Sequence, residues 1–221
     1  STAGYCVGDI FTNENAIKIE IEASNGSSDY GNKIGEPIIQ GFTRSFGQTI
    51  HNTRYEWIKP IMFTGGIGQV LDYNLYKEKP RKGLLITRIG GPAYRIGLGG
   101  GSSSSRENDE KNIETDLSAV QRGDPEMENK VYRVIRTMSE RKNNPILSIH
   151  DQGAGGMGNV TKEIVSPIGG DVYLNNVNVG DKTMSALEIW GAEYQEQVTL
   201  LIDQQEKDYV QNLCDRENVP V

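Results

Sequence analysis

The residues best suited to phosphate chemistry lie in three glycine-rich segments. Glycine accounts for 26 of the 221 residues and is concentrated at residues 65–68 (GGIG), 90–105 (GGPAYRIGLGGGSSSS) and 153–158 (GAGGMG). The second segment offers unobstructed backbone amides and four serine hydroxyls, and glycine lets the main chain come close to a phosphate. We therefore predict a phosphate loop that includes Gly99, Gly100, Gly101 and Ser102.

Two other interpretations of residues 90–105 can be weighed from the residues themselves. A flexible linker shares the Gly and Ser composition, but Ile96 and Leu98 are anchoring side chains that a linker does not need. A P-loop requires a Gly-Lys pair, and the chain contains none. The P-loop is thereby excluded, whereas the linker stays open beside the phosphate loop.

Asp151 is the candidate metal ligand. It follows the apolar run PILSI, so its carboxylate leaves the end of a predicted strand beside glycine turns. Mg²⁺ prefers hard oxygen ligands and shares them with phosphates, which makes this position suitable for a magnesium–phosphate site. The alternatives are a helix N-cap for Asp151 and a hydrogen-bonded core histidine for His150.

A literal GxGxxG pattern occupies positions 153, 155 and 158. A dinucleotide fingerprint needs its first glycine at the end of the strand, a long helix behind it and an acidic residue about twenty positions further on. Here His150 and Asp151 separate the strand from the glycines, and Pro167 shortens any helix. The pattern therefore disfavours a dinucleotide fold.

Two further motifs carry polar groups that can contact a ligand. The motif AVQRGDPEMEN lies at a predicted helix N-terminus, a position that favours the binding of anions. Helix capping alone is sufficient to explain Asp124. LEIWGAEYQEQ precedes a predicted strand and offers carboxylates and an amide for sugar hydroxyls or amides, with a solvated polar turn as the alternative. The residues concerned are Gln121, Arg122, Asp124, Glu188, Glu193, Tyr194 and Gln195.

The elements that must position these groups form a mixed α and β fold. Each glycine-rich segment follows a β-branched apolar run, and further strands are predicted at 17–21, 172–179 and 198–202. Helices are predicted from Pro37 to about Phe46, over 124–141 and over 205–216, with a turn-rich loop at 24–37. The predicted class is α+β, a mixed sheet with helices packed on one face, and a domain boundary near residues 79 and 80.

Composition excludes several classes of protein. Thirty acidic against 23 basic residues give a net charge of −7, and no local basic patch favours nucleic acid. No apolar stretch is long enough for a membrane helix, and the first residues lack a signal-peptide pattern. Two cysteines and two histidines, widely scattered, exclude zinc fingers and disulfide scaffolds and favour the cytosol. The missing initiator methionine and the strand-like ending NVPV indicate an internal fragment.

The long motifs quoted above resemble the large form of phosphoribosylformylglycinamidine synthase, the glutamine-dependent ligase of purine synthesis. They are GGPAYRIGLGGGSSSS, AVQRGDPEMENK, PILSIHDQGAGGMGNV and SALEIWGAEYQEQ, joined upstream by KPIMFTGGIG and IGEPIIQGFTRSF. The resemblance covers essentially the whole chain. It implies the end of an amino-terminal-type domain over residues 1–79 and a carboxy-terminal-type domain, related to aminoimidazole ribonucleotide synthase, over residues 80–221.

The resemblance also implies a reaction and its partners. Such enzymes activate formylglycinamide ribonucleotide with ATP and magnesium, and ammonia from a glutaminase domain elsewhere in the polypeptide then displaces the phosphate. By similarity, Gln121, Glu193, Tyr194 and Gln195 contact substrate, and Asp151 binds magnesium. Gln40, Gly41 and Phe42 match a short segment that touches a nucleotide, although the residues flanking the glycine differ in the bacterial enzymes.

Two functions from other classes stay open at the level of sequence. One is a nonenzymatic fragment that binds a nucleotide or phosphate, and the other is a different enzyme of the aminoimidazole ribonucleotide synthase superfamily. The sequences VQRGDPEMEN and EIWGAEYQE favour the synthase over another enzyme of that superfamily.

Overall fold

The computed structural model describes residues 5–7, 13–44, 46–57, 61–65, 67–95, 123–152, 156–193 and 196–221. These residues belong to two compact units, one up to Gln69 and the other from Val70 onward. None of the helices in the described ranges is long and apolar enough to cross a membrane.

The first unit contains one long helix and two small antiparallel sheets. The helix α1 spans Asn13–Ile34. Strands β1 (Tyr5–Val7), β3 (Gly47–Ile50) and β4 (Thr53–Trp57) form a sheet in the order β1-β4-β3, and β2 (Gly41–Arg44) pairs with β5 (Ile61–Thr64). His51 and Asn52, both with positive φ, make the two-residue turn between β3 and β4 that matches the twist of a hairpin.

Three predictions in the first unit are wrong. Residues 17–21 and most of the loop predicted at 24–37 lie inside α1, because the alternation KIEIE also places Ile17 and Ile21 one helical turn apart. The helix ends only at Gly35, where the N–H of Glu36 donates to the carbonyl of Gly31 at 2.9 Å. The helix predicted from Pro37 is replaced by irregular backbone and β2, since residues 41–44 pair with β5.

The second unit is built on a three-stranded antiparallel sheet. Its strands are β6 (Leu85–Gly90), β7 (Ser148–Asp151) and β8 (Gln197–Ile202), in the order β6-β8-β7. Helices α2 (Pro125–Ser139) and α5 (Lys207–Glu217) pack on one face, through Val131, Val134, Val210 and Leu213 against Ile89 and Leu200. Helix α3 (Gly156–Val165) packs on the other face against Leu201, and the short helix α4 spans Ala186–Gly191.

The sequence predicts most of this unit, but α3 packs on the second face of the sheet, whereas the helices were predicted on one face only. The mixed α and β class, the strands β6, β7 and β8, and the helices α2 and α5 are confirmed, but β7 includes His150 and Asp151, which were predicted to follow the strand. Asp124 caps α2, where its carboxylate accepts from the N–H of Met127 at 3.1 Å. The strand predicted at 172–179 is wrong: Leu174–Asn176 form a 3₁₀ turn, which paired asparagines favour, and Val179 makes an isolated bridge with Ala93.

Candidate functional site

Polar motifs converge at one end of the sheet of the second unit. Because β8 runs antiparallel to both neighbours, its first residue lies beside the last residues of β6 and β7. Gly90 pairs with Gln197, and Asp151 pairs with Val198. The described residues of the segment 191–197 therefore lie beside the starts of two glycine-rich segments. Residues 194 and 195 of this segment lie outside the described ranges.

Glu196 connects this segment to two other motifs. Its side chain accepts a hydrogen bond from the backbone N–H of Asp124 at 2.8 Å, at the N-terminus of α2. Its backbone carbonyl accepts from the N–H of Gly91 at 3.2 Å. Since Glu196 is buried, this residue holds the start of residues 90–105 and the VQRGDPEMEN motif in fixed relation to β8.

Arg88 and Gln197 fix the carbonyl of Gly91 from the side of the sheet. The Arg88 guanidinium donates to the Gln197 side chain at 2.8 Å and to the Gly91 carbonyl at 2.6 Å. The Gln197 amide donates to the same carbonyl at 2.5 Å. With Gln197 almost fully buried, this network orders the beginning of the glycine-rich segment.

The HDQGAGG motif reaches the same region through backbone contacts. The N–H of Gln152 donates to the carbonyl of Gln197 at 3.0 Å. A Cβ at Gly156, where φ is +61°, would lie 2.5 Å from the carbonyl oxygen of Ala192, so α3 begins in direct backbone contact with residues 191–192. Four of the motifs singled out in the sequence thus have described residues at one end of the sheet.

Asp151 projects from this end as an exposed carboxylate. It is the last residue of β7, and α3 begins five positions later, so Asp151 is not the N-cap of that helix. Its side chain is 83% exposed, and the Nδ1 of His150 lies 3.4 Å from one of its carboxylate oxygens. A single accessible carboxylate suits a Mg²⁺ ion that takes its other ligands from phosphates and water. In the described ranges no group of three or more His, Cys, Asp or Glu side chains forms a closed metal site.

His150 is a surface residue held by hydrogen bonds. Its Nε2 lies 2.7 Å from the carboxylate of Glu163 on α3, and its Nδ1 lies 2.8 Å from the carbonyl of Asp151. The His150 side chain is 28% exposed, so it does not belong to the core as one alternative predicted. The same alternative predicted a hydrogen-bonded histidine, and this part agrees with the structure. These bonds tie the strand end that carries Asp151 to α3.

Glu193 and Glu188, both singled out in the sequence, have different surroundings. Glu193 is only 3% exposed, which excludes the solvated polar turn for this residue. Glu188 instead belongs to a capping box with Ser185 and pairs with Arg95 at 2.6 Å. The hydrogen bond from Arg95 is the main reason that the pKa of Glu188 is lowered to about 2. Glu188 is thereby assigned a structural role.

Arg95 is a residue that the sequence analysis did not identify. Besides Glu188, its guanidinium contacts Asp181 at 3.1 Å and the carbonyl of Thr183 at 3.0 Å. Ala93 is joined to the same region, because its N–H donates to Asn178 at 2.8 Å. The described part of the 90–105 segment is therefore anchored by ladder hydrogen bonds and by an ion-pair cluster.

The remaining predicted site residues are distributed as follows. Gln40 is exposed ahead of β2, Gly41 begins β2, and Phe42 is half exposed, with its ring 5.0 Å from that of Phe63 and 5.1 Å from the guanidinium carbon of Arg44. The predicted positions outside the described ranges are Gly99, Gly100, Gly101, Ser102, Gln121, Tyr194 and Gln195.

Comparison with known proteins identifies the class to which this architecture belongs. The family described as "AIR synthase related protein, C-terminal domain" matches residues 81–221, and the chain belongs to this family. Over its full length the chain is 52% identical to the phosphoribosylformylglycinamidine synthase of Dictyostelium discoideum and covers 18% of that protein. The resemblance inferred from the motifs is confirmed.

Other relatives have the same name and a similar length. The chain is 48% identical to phosphoribosylformylglycinamidine synthase of Homo sapiens and 49% identical to the probable chloroplastic or mitochondrial protein of Arabidopsis thaliana. In each case 99% of the chain is matched, to 18% and 17% of the relative. The chain therefore spans less than a fifth of the length of these relatives.

Solved structures support the fold. Thermotoga maritima PurL complexed with FGAR matches 91% of the chain, and 31% of its own length, with a TM-score of 0.65 at 22% identity. The structure of PurLQS from the same organism gives a TM-score of 0.64 at 24% identity over 88% of the chain and 29% of its own. T. maritima PurL complexed with ATP gives 0.60 at 22%, covering 88% of the chain and 29% of its own length.

Proposed function

We propose that this chain is an internal part of a phosphoribosylformylglycinamidine synthase. The parent enzyme converts formylglycinamide ribonucleotide, ATP and glutamine-derived ammonia into formylglycinamidine ribonucleotide, ADP and phosphate. The observation that carries this proposal is the convergence of the family motifs around Glu196 and Gln197 at one end of the sheet. The 52% identity to a synthase over the whole chain supports it.

The proposed division of labour follows the positions of the motifs. Gln121, Glu193, Tyr194 and Gln195 contact the ribonucleotide, and the loop at Gly99–Ser102 takes its phosphate or that of the nucleotide. The position of buried Glu193 supports this arrangement, because the preceding residue, Ala192, packs in one cluster with Ala93 of the 90–105 segment. Asp151 binds Mg²⁺, which neutralises charge on the phosphates.

The first unit has a separate proposed role in holding a nucleotide at Gln40, Gly41 and Phe42. The half-exposed, stacked ring of Phe42 supplies an aromatic surface of the kind on which a base can stack. The similar T. maritima PurL, whose structures are complexed with ATP and with ADP, supports a nucleotide-binding parent protein.

The remainder of the polypeptide, including a glutaminase domain, is the proposed partner. We propose a cytosolic location for the parent protein, and the free, buried thiol of Cys214 supports a reducing compartment. We expect the 221-residue chain alone to have no synthase activity, because ATP, substrate and ammonia must meet between these residues and others in the rest of the polypeptide. Turnover by this chain with ATP, magnesium, substrate and ammonia would contradict that expectation.

The central experiment is a pair of substitutions in the full-length enzyme. Asp151→Asn should abolish most turnover while far-ultraviolet circular dichroism stays unchanged, because a neutral amide is a poor magnesium ligand. Asp171→Asn, an exposed aspartate distant in sequence from the motifs, is the matched control and should keep full turnover. Unchanged turnover in Asp151→Asn would remove this residue from the site.

A second substitution tests the phosphate loop. Gly100→Val in the full-length enzyme should weaken nucleotide or substrate binding with little change in melting temperature, since a β-branched side chain blocks close approach of a phosphate. Normal binding by this variant would leave the loop with an architectural role only.

A further inference from the structure

Asp151, the proposed magnesium ligand, lies where packing alone does not hold its side chain. It ends β7, an edge strand of the described sheet, and glycines follow at positions 153, 155 and 156. The side chain is 83% exposed, so neighbouring side chains do not enclose the carboxylate. A metal ligand binds best when it is presented in one direction by its supporting residues. For Asp151 that direction has to come from the backbone at the end of β7.

The ring of His150 connects this backbone to α3. Its Nδ1 lies 2.8 Å from the main-chain carbonyl oxygen of Asp151, and its Nε2 lies 2.7 Å from the carboxylate of Glu163. Carboxylate and carbonyl oxygens only accept, so both contacts are hydrogen bonds when each ring nitrogen carries a proton. The imidazole ring thus spans the distance between Glu163 and the end of β7.

Glu163 is itself held in place on α3. The side-chain amide of Asn159, four positions earlier on the same helix face, donates to its Oε1 at 3.0 Å, whereas His150 contacts its Oε2. The next two residues, Ile164 and Val165, are buried and pack with Leu201 of β8. The carboxylate is therefore oriented through both of its oxygens, on a helix that is fixed against the sheet.

We propose that Glu163 is a positioning residue for the metal site. Acting through His150, it fixes the backbone at Asp151 and thereby the direction of the carboxylate that binds Mg²⁺. Glu163 does not itself bind the metal, since its two oxygens are engaged by Asn159 and His150. Removing an outer-shell partner of this kind typically costs about 10–100-fold in metal affinity. The inference rests on the proposed role of Asp151 in binding Mg²⁺.

Two conservative substitutions at Glu163 separate the reach of the side chain from its charge. Glu163→Gln keeps the length and an oxygen that accepts from the Nε2 of His150, but it loses the charge. Glu163→Asp keeps the charge but is shorter by one carbon–carbon bond, about 1.5 Å, so the hydrogen bond is lost. We expect Glu163→Gln to retain metal binding and Glu163→Asp to behave like Glu163→Ala. The reverse order would show that charge alone matters and would overturn the proposal.

The first measurement is the binding of Mn²⁺, in place of Mg²⁺, to the full-length enzyme with ADP present, followed by electron paramagnetic resonance. The bound Mn²⁺ that Asp151→Asn removes defines the site. We expect Glu163→Ala to raise the Kd of this site about tenfold, the lower end of the range, because Asp151 itself remains. Lys162→Ala, at the neighbouring exposed position of α3, is the matched control and should leave the Kd unchanged. An unchanged Kd in Glu163→Ala would contradict the proposal.

A double variant tests whether Glu163 acts through Asp151. When Glu163→Ala is added to Asp151→Asn, neither Mn²⁺ binding nor turnover should fall further, because no carboxylate is left to be positioned. A merely structural role of Glu163 predicts instead that the losses of the two single variants add. Additive losses would therefore refute the proposal.

Amide hydrogen exchange distinguishes failure of the inference from failure of the proposed function. The N–H of Gln152 donates to the carbonyl of Gln197 at 3.0 Å, so its exchange reports on the end of β7 without metal or catalysis. We expect this exchange to be at least about fivefold faster in Glu163→Ala and unchanged in Glu163→Gln. Unchanged exchange in Glu163→Ala would overturn the inference alone. Faster exchange, combined with Mn²⁺ binding that Asp151→Asn does not affect, would refute the proposed function of Asp151 and the inference with it.

Discussion

Replacing Gly90 with alanine tests whether close backbone packing holds the start of the glycine-rich segment. Gly90 has a φ of +125°, a conformation that L side chains rarely adopt. A Cβ at this position would lie 2.1 Å from the carbonyl oxygen of Glu196 and 2.8 Å from the Cα of Gln197. Both atoms belong to backbone, so rotation of a side chain cannot relieve the collision.

The expected loss of stability has two parts. Holding a non-glycine residue in a sparsely populated backbone region costs about 1–3 kcal/mol. Forcing a methyl group into a packed site costs about 1–3 kcal/mol more. We therefore expect Gly90→Ala to lower the free energy of unfolding of the second unit by about 2–6 kcal/mol.

Gly83→Ala separates these two parts. Gly83 has a φ of +91°, but no heavy atom lies within 4 Å of a Cβ placed there, so only the backbone cost applies. Urea unfolding can be followed by the fluorescence of Trp190 in a Trp57→Phe background, since the chain has two tryptophans. If Gly90→Ala is less than about 1 kcal/mol more destabilising than Gly83→Ala, the close packing at Glu196 is refuted.

Three further predictions concern single side chains of the second unit. Gln152→Met should raise the free energy of unfolding by about 1–3 kcal/mol, because both polar atoms of this buried amide lack hydrogen-bond partners among the described residues; a lower urea midpoint would contradict this. With its pKa lowered to about 2, Glu188 stabilises the fold above pH 4.5 and loses this effect as the pH falls toward 2. The difference in Tm between the wild-type chain and Glu188→Gln should shrink over that interval, and a constant difference would argue against it. Burial raises the pKa of the Cys214 thiol to about 11, so in a Cys6→Ser chain a thiol reagent at pH 8 should react only after unfolding; rapid reaction of the folded chain would disprove the burial.

The parts of the fold that could be predicted are those whose signals are local. Asp124 and Pro125 mark the start of α2, and β-branched apolar runs mark the strands before the glycine-rich segments. In α1, by contrast, a five-residue alternation fits a strand and a helix equally well, so the wrong period was chosen. The strand β2 could not be recognised, because its pairing with β5 depends on residues about twenty positions away.

The candidate site divides in the same way. Motif composition identified Asp151 and Glu193, whose residue types suggest chemistry in any context. It did not identify Arg88 and Gln197, which lie 109 positions apart and acquire their role only when β6 and β8 pair. Glutamine at the start of an apolar strand has no local signature, and its importance follows from burial beside a backbone carbonyl.

The central position of β8 explains why distant motifs meet in one place. Two strands that each end in a glycine-rich segment are brought to the same end of a sheet if a third strand runs between them in the opposite direction. The first residue of that third strand then contacts both segments, as Gln197 does through its side-chain amide toward Gly91 and through its backbone carbonyl toward Gln152. The position just before it, Glu196, remains available to hold the helix N-terminus at Asp124. Two adjacent residues of the chain, Glu196 and Gln197, therefore link the described residues of all four motifs.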